Sequence, residues 1–310
     1  MGSLNCTCDS EPDNTVQVEG LGVNKFSTDK KKATSVVPNT KFSGQIPLQD
    51  ISNVVLSVWN SIPPFVYPKE FNNEISKWMS IILDDGIFTG EFDNLLPHGR
   101  GFEVYHDGSL IEAVWNKGKI TGKGRIIYTN GDVLEGDFEN GEIHGFGVLV
   151  SQSGSKYEGN WSHSKQEGNG KEIWPDGSEF IGDFKSGCKC GNGIFKWADG
   201  SLYEGQFNKN CIEGIGVYKW SDGRSYEGTW LEGKMHGKGK FIWPNGRVYD
   251  GEFCMDLKHG VGKLLWPDGK VYEGGWMNGK RHGIGVLKVK DGGCKKGEWN
   301  NGVRINWIDN

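Results

Sequence analysis

The chain has 310 residues, with 49 glycines and 13 tryptophans but only 35% hydrophobic residues, which is a poor composition for one thick globular core. A formal net charge of −5 gives no electrostatic reason to bind nucleic acid. The seven cysteines are an odd number without the dense spacing of a secreted disulfide framework, so they favour a reducing, intracellular compartment. Many glycines together with many aromatic residues favour a thin β-structure instead of a layered domain.

Residues 1–47 are polar and are predicted to be a disordered tail. The chain begins Met-Gly-Ser-Leu-Asn-Cys-Thr-Cys, which resembles an N-myristoylation site followed by cysteines that can be palmitoylated. Gly2, Cys6 and Cys8 are therefore candidate acylation sites, because stable membrane anchoring requires two such signals. Cys6 stands where Ser or Thr is usual, so an unmodified terminus is the alternative.

Residues 48–86 are predicted to be a helical capping segment. Apolar residues from Ile51 to Trp59 recur at helical spacing until Pro63-Pro64 interrupts them. A second candidate helix follows Pro68, and its apolar face would contain Phe71, Ile75, Trp78, Met79 and Ile82. We expect these helices to cap the repeats, or alternatively to occupy the aromatic surface until a partner displaces them.

Residues 87–302 repeat with a period of 23 and no insertion or deletion. One column of the repeat lies in the motif Tyr-Glu-Gly-x-Trp/Phe and contains Gly90, Ala113, Gly136, Gly159, Gly182, Gly205, Gly228, Gly251, Gly274 and Gly297. A second column holds Gly-x-Gly from Gly99 to Gly283, and a third holds Asp-Gly or Asn-Gly dipeptides. Three columns in phase predict ten structurally equivalent units, followed by a C-terminal end at 303–310.

Each unit is predicted to be a β-hairpin. Tyr, Gly and Trp of the motif share one face of a strand because side chains alternate, and the glycines leave room for rings to lie on the backbone. The Asp-Gly and Asn-Gly pairs suit the positive φ of a tight hairpin turn. Neighbouring units must bury each other's aromatic face, so the fold class is an all-β repeat, an elongated single-sheet solenoid of ten 23-residue hairpins.

These motifs resemble the MORN-repeat family over about 87–302. The resemblance implies a β-hairpin sheet with a grooved aromatic face, used as a membrane-associated or cytoskeletal scaffold or as an accessory array on an enzyme. It also implies association through terminal repeats, and we expect an unpaired edge at Glu298, Trp299, Asn300 and Asn301 that a second copy could cover. In enzymes that carry such repeats the chemistry lies outside them, so we expect no enzyme activity and no cofactor.

The aromatic face is predicted to bind an extended or helical peptide of a partner protein, with large rings as hot spots. The candidate groove residues, for each of which packing inside the sheet is the alternative, are Tyr157, Trp161, Trp197, Tyr203, Tyr226, Trp230, Trp243, Tyr249 and Trp276.

Three other patterns favour structure over chemistry. Five histidines, at 98, 144, 236, 259 and 282, occupy one repeat column and would lie about 10 Å apart, too far for a shared metal. The glycine-rich string from Gly118 to Gly124 lacks the spacing and the Ser/Thr of a phosphate-binding loop, so a hairpin turn is predicted. A column of glutamates opposite the rings implies no enclosed catalytic pair.

Three functional hypotheses remain open. The first is a dually acylated scaffold on the cytoplasmic face of a membrane, the second a cytoskeletal or ciliary component, and the third an accessory subunit of a phosphoinositide kinase encoded elsewhere. Acylation of Gly2 separates the first from the second, and copurified kinase activity would indicate the third.

Overall fold

The computed structural model describes the backbone of residues 33–37 and both backbone and side chains of residues 50–69, 78–290 and 292–308. These residues form 22 strands and one helix. They divide into two compact units, an N-terminal unit up to Pro175 together with 184–187, and a C-terminal unit of 176–183 and 188 onwards. The boundary falls within one strand, Glu179–Lys185 (β11), which contributes residues to both units.

The N-terminal unit contains the helix α1 (Asn53–Ser61) and ten strands. The strands are β1 (Ala33–Val37), β2 (Met79–Leu83), β3 (Gly86–Asp93), β4 (Leu96–Tyr105), β5 (Leu110–Asn116), β6 (Lys119–Ile127), β7 (Val133–Glu139), β8 (Glu142–Val150), β9 (Lys156–Ser162) and β10 (Lys165–Ile173). Each strand pairs antiparallel with the next one in the chain.

The C-terminal unit continues the same pattern after β11. Its strands are β12 (Cys188–Lys196), β13 (Leu202–Asn208), β14 (Cys211–Lys219), β15 (Ser225–Leu231), β16 (Lys234–Ile242), β17 (Val248–Cys254), β18 (Leu257–Leu265), β19 (Val271–Met277), β20 (Lys280–Lys288), β21 (Cys294–Asn300) and β22 (Val303–Ile308). From β12 onwards every pair of successive strands is antiparallel. The all-β repeat fold predicted from the 23-residue period is confirmed, with two strands in each of the ten repeats.

Two kinds of turn alternate along the chain, and the Asp-Gly and Asn-Gly dipeptides do not form the tight two-residue turns predicted for them. The Asp-Gly and Asn-Gly dipeptides lie in five-residue loops such as Trp197 to Ser201, in which only Gly200 has a positive φ. The two-residue turns lie inside the repeats, and in Lys209-Asn210 both residues have a positive φ, as a type I′ turn requires. The predicted turn at Gly118 is one of these, since Lys117 and Gly118 both have positive φ.

The tight hairpins contain a register shift at the same position in successive repeats. Between β13 and β14, Gly205 faces Gly216 and Phe207 faces Ile212, so β14 contains extra residues at this point. This bulge includes Gly214, whose φ of 103° is easily reached by glycine and strained for other residues. The Gly-x-Gly column of the sequence therefore marks both the bulge and the close approach of two backbones.

The helix α1 packs on the first repeats. Ser52 caps its N-terminus, because the Ser52 hydroxyl accepts a hydrogen bond from the Val55 amide at 3.2 Å. Val55 is fully buried and forms one hydrophobic cluster with Val104 and Leu110 of the sheet.

Two predictions about the ends of the repeat region are wrong. Met79 and Ile82, which were expected on a second helix, lie on β2, while Phe71 and Ile75 fall outside the described residues. The expected unpaired edge at Glu298, Trp299 and Asn300 belongs to β21, which pairs with both β20 and β22. The chain turns back at Asn301-Gly302, where both residues have positive φ, and β22 completes the tenth hairpin.

Candidate functional site

The tyrosine of each typical repeat lies flat against the backbone of its own hairpin. In the seventh repeat, the ring of Tyr226 covers Gly228 and Gly239, which face each other across the strand pair. A Cβ atom at either glycine would overlap the Tyr226 side chain. The Tyr226 hydroxyl donates to the carbonyl of Thr229 at 2.9 Å, which satisfies the one polar atom of a buried ring.

The same arrangement recurs along the chain. Four further tyrosine hydroxyls donate to the carbonyl three residues later, at 2.9 to 3.0 Å, and they belong to Tyr157, Tyr203, Tyr249 and Tyr272. Each of these rings meets an aromatic ring of the next repeat edge-on, as Tyr226 meets Phe253 with centroids 5.2 Å apart. Burial raises the pKa of all five phenols above the ordinary value.

Seven of the nine predicted groove residues are buried in this packing. They are Tyr157, Trp161, Tyr203, Tyr226, Trp230, Tyr249 and Trp276. The indole nitrogens of Trp230 and Trp276 are also engaged, because they donate to the carbonyls of Gly216 and Gly262 at 3.2 and 3.0 Å. These side chains hold neighbouring repeats together and present little free surface to a partner.

The other two predicted residues, Trp197 and Trp243, are partly exposed and belong to a continuous series of rings. Trp197 stacks on Tyr218 at 4.9 Å between centroids, and Tyr218 stacks on Trp220 at 4.5 Å. Trp220 reaches the buried ring of Phe241 at 5.4 Å, and Phe241 contacts Trp243 at 4.4 Å. We call the four partly exposed residues, Trp197, Tyr218, Trp220 and Trp243, the tryptophan row.

Sequence reasoning missed Tyr218 and Trp220, although a signal for Trp220 was present. Trp197, Trp220 and Trp243 each occupy the first position of a five-residue loop, where the backbone N–H of the tryptophan donates to the last residue of the loop. Rings at this loop position are partly exposed in the C-terminal unit, whereas Tyr105, Tyr128 and Trp174 at the same position of earlier repeats are buried. Neither residue type nor position in the repeat alone therefore predicts which rings are exposed.

Cationic side chains lie against the tryptophan row. The Arg224 guanidinium is 5.2 Å from the Trp220 ring centroid, and the Arg247 guanidinium is 5.1 Å from that of Trp243. The Lys258 ammonium lies 5.4 Å from Trp243, and burial together with the positive charge of Arg247 lowers the pKa of Lys258. The row thus combines flat apolar surface with positive charge, which suits acidic and aromatic groups of a ligand.

The other predicted sites are not part of the tryptophan row. Gly2, Cys6 and Cys8 lie outside the described residues. In the residues that the structure describes, no three His, Cys, Asp or Glu side chains are close enough together to hold a metal ion. No helix of that same part of the chain is long and apolar enough to cross a bilayer. Cys188 and Cys211 are disulfide-bonded, whereas the cysteine spacing favours reduced thiols.

Comparison with known proteins identifies the repeat. The MORN repeat profile matches nine segments, at 88–110, 112–133, 135–156, 157–179, 180–202, 203–223, 226–246, 249–271 and 272–294. The chain belongs to the MORN-repeat family. MORN repeats are generally non-catalytic and serve binding to membranes or proteins.

One curated relative and two solved structures are similar to parts of the chain. Phosphatidylinositol 4-phosphate 5-kinase 1 of rice, Oryza sativa subsp. japonica, is 40% identical over 45 residues, which are 14% of this chain and 6% of that protein. The TCP10 domain of Danio rerio CPAP has a TM-score of 0.35 and 12% identity, covering 67% of this chain and 92% of that domain. The Drosophila melanogaster SAS-4 TCP domain, solved with a proline-rich motif of Ana2, has a TM-score of 0.31 and 14% identity, covering 60% and 94%. At these TM-scores neither structure bears on function.

Proposed function

We propose that this MORN-repeat protein is a non-catalytic scaffold whose tryptophan row binds a peptide segment of a partner protein. The supporting observation is the uninterrupted series of stacked rings from Trp197 to Trp243, partly exposed and lined by cations. Large aromatic residues and arginine are the residue types that most often carry the binding energy of protein interfaces.

The chemistry of the row defines the peptide. Arg247 lies over the Trp243 ring, so an acidic side chain near that ring would gain charge-assisted hydrogen bonds. Arg224, over Trp220, is already paired with Asp222 at 2.7 Å. Apolar and aromatic residues of the peptide would pack on the exposed parts of the Trp220 and Trp243 rings. The row runs across successive hairpins, so a peptide bound along it would contact several repeats and its side chains would be read at fixed intervals.

Selection of random peptides displayed on phage against the full-length chain tests this proposal. We expect the selected peptides to be enriched in acidic and aromatic residues and to bind at least about 10-fold more weakly to the Trp243→Ala variant, as expected for a hot spot. Ile215→Ala is the matched control, since Ile215 is 65% exposed on the opposite face of the same unit. Peptides that bind both variants with equal affinity would contradict the proposal.

Membrane tethering through Gly2, Cys6 and Cys8 is a separate part of the proposal and is supported by the sequence of the terminus. Intact mass spectrometry of the protein isolated from its native cells measures it directly. A myristoyl increment at Gly2 with a thioester-labile mass at Cys6 or Cys8 is expected. An unmodified terminus would contradict tethering and would favour the cytoskeletal alternative.

A second candidate function is an accessory subunit of a phosphoinositide kinase. The short match to the rice phosphatidylinositol 4-phosphate 5-kinase favours it, although the chain spans only a small part of that protein. Lipid kinase activity that copurifies with the native protein, and is lost when the protein is depleted, would support this function. Activity that is unchanged after depletion would exclude it.

A further inference from the structure

The face of the sheet opposite the rings, which we call the back face, has an apolar row in the N-terminal unit. The row consists of Val104, Leu110, Ile127 and Val133, which are joined by cross-strand pairing in that order. The first three side chains are buried in one hydrophobic cluster with Ile51 and Val55, and Val133 packs against it. The capping segment therefore covers this row.

Polar contacts fix the position of the capping segment on the back face. The Ser52 amide donates to the carbonyl of Gly108 at 3.2 Å, and the Trp59 indole nitrogen donates to Glu112 at 3.2 Å. The Arg125 guanidinium donates to the carbonyl of Pro63 at 2.9 Å, beyond the C-terminal end of the helix. The contact of Ser52 with Gly108 therefore holds the start of the helix on the sheet. The contacts with Glu112 and Arg125 hold its end.

The same row recurs six repeats later. Adding 138 residues to each number gives Ile242, Val248, Leu265 and Val271, which we call the distal row. They are again cross-strand partners in that order. Here, however, Ile242 is 37% and Leu265 is 38% exposed.

Apolar character at these positions is not a general property of the repeat. In the intervening repeats, the positions that correspond to Val104 and Leu110 include Lys196, Lys219, Glu179 and Ser225. An aliphatic row that is interrupted by charged residues and then restored is consistent with a specific use of the distal row.

We propose that the distal row is the docking site of an amphipathic helix of a partner protein that has the pattern of α1. The occupant is inferred from the N-terminal unit, where the equivalent row is covered by a helix. The proposal is independent of the tryptophan row, which lies on the opposite face.

The residues beside the distal row define the partner helix further. Asp250 occupies the position of Glu112, so it could accept a hydrogen bond from a tryptophan or a cationic side chain of the helix. Lys263 occupies the position of Arg125 and could donate to the carbonyls at the helix C-terminus. Lys240 replaces Phe102, which favours an acidic residue of the helix at that place.

The probe for this site is a fluorescein-labelled synthetic peptide with the sequence of residues 50–67. Fluorescence anisotropy measures its binding to the full-length chain, in which the N-terminal row is already covered. We expect saturable binding with one peptide per chain, and at least about 10-fold weaker binding to Leu265→Asp, because a charge replaces the contact at the centre of the row. A peptide with Val55→Asp should not bind.

Two variants show which surface is involved. Ile215→Asp places the same charge on the back face outside the distal row and should leave binding unchanged, and Trp243→Ala should also leave it unchanged. If Leu265→Asp does not fold, as judged by circular dichroism, Ile242→Asp replaces it.

Three outcomes would overturn the proposal. The first is the absence of saturable binding, and the second is binding that Leu265→Asp does not weaken. The third is a wild-type dimer that Leu265→Asp converts to a monomer in light scattering while the peptide fails to bind, because the distal row would then be covered by a second copy of this chain.

Discussion

The two units use the same hairpin but differ in how they treat the back face. In the N-terminal unit α1 covers the back face of the first repeats, where Val104, Leu110 and Ile127 are almost completely buried, while Phe146 and Val150 further along that face are exposed. In the C-terminal unit the equivalent positions are partly exposed, and Ile215, Val261 and Ile284 of the same face are exposed as well. The repeat motif therefore determines the hairpin, while the residues between the motif positions determine whether a hairpin is covered.

The ring face shows the same separation of roles. Tyr203 and Tyr218 of the C-terminal unit correspond to Ile111 and Ile126, four repeats earlier. All except Tyr218 are buried, so either an aromatic or an aliphatic residue can fill these positions. Only aromatic residues at these positions can form the stacked series of rings that includes the tryptophan row.

The largest difference between the units in the free energy lost on substitution is expected at a buried charge. Arg125 lies on the covered back face, where its guanidinium contacts Glu112 at 3.3 Å and Glu135 at 3.1 Å. Arg125→Ala would leave Glu112 without its buried counter-charge and should lower the free energy of unfolding by about 3–5 kcal/mol. Lys263→Ala, at the equivalent exposed position, should change it by less than about 0.5 kcal/mol. Urea denaturation followed by circular dichroism measures both.

This effect should depend on pH. Burial raises the pKa of Glu112, and the Trp59 hydrogen bond and the charge of Arg125 oppose this increase. A carboxyl with a raised folded pKa binds its proton more tightly in the folded state, so stability falls as pH rises from 4.5 through the folded pKa. Arg125→Ala removes a positive charge that lowers the pKa of Glu112. The loss of stability that this variant causes should therefore be larger at neutral pH than at pH 4. An equal loss at both values would contradict this account.

The second prediction compares the two apolar rows directly. Ile127 is fully buried beneath the capping segment, while Leu265 is 38% exposed at the equivalent position. Ile127→Ala should therefore cost about 2–4 kcal/mol in the free energy of unfolding, because it removes buried methyl groups and leaves a cavity. Leu265→Ala should cost about 1 kcal/mol or less. Equal costs in chemical denaturation would mean that the distal row is covered in the isolated chain.

The sequence predicted the repeat well because its glycine columns have a local cause. A glycine at a bulge or under a ring, such as Gly214 or Gly216, is required by its own hairpin, so the column shows the period without knowledge of the rest of the fold. The second strand of the tenth hairpin, Val303–Ile308, was not predicted because it has no Gly-x-Gly.

Burial was harder to predict than period. Met79 and Ile82 fit a helical face by spacing, but pairing with the neighbouring β3 holds them in an extended strand of the sheet. The predicted groove residues share an aromatic side chain, whereas their exposure also depends on what the neighbouring repeats place against the ring. Tyr203 over its glycine pair is buried and Trp197 at the strand end is partly exposed, but Trp174 at the position equivalent to Trp197 is buried.

The third prediction tests the contact between glycine and ring. Gly239→Ala places a Cβ atom against the Tyr226 ring and should lower the free energy of unfolding by about 1–3 kcal/mol, because the ring and the strand must shift. Gly293→Ala is the control, since Gly293 is exposed and its Cβ would meet only the end of the Val289 side chain. Thermal unfolding measured by circular dichroism compares them, and an unchanged midpoint for Gly239→Ala would show that the ring is not held against the strand.

The smallest expected effect concerns a single hydroxyl. The Tyr203 hydroxyl donates to the carbonyl of Gln206 at 3.0 Å, so Tyr203→Phe should lower the free energy of unfolding by about 1 kcal/mol at neutral pH. Burial raises the pKa of Tyr203 above its ordinary value of 10.0, so its contribution is present below pH 10.0 and is lost as pH rises from there through the folded pKa. The variant lacks this titration, and its stability should fall less steeply above pH 10 than that of the wild type. Parallel curves of stability against pH in that range would show that the Tyr203 phenol ionises as easily in the folded sheet as in the unfolded chain. That result would contradict the close packing of the ring on Gly205 and Gly216.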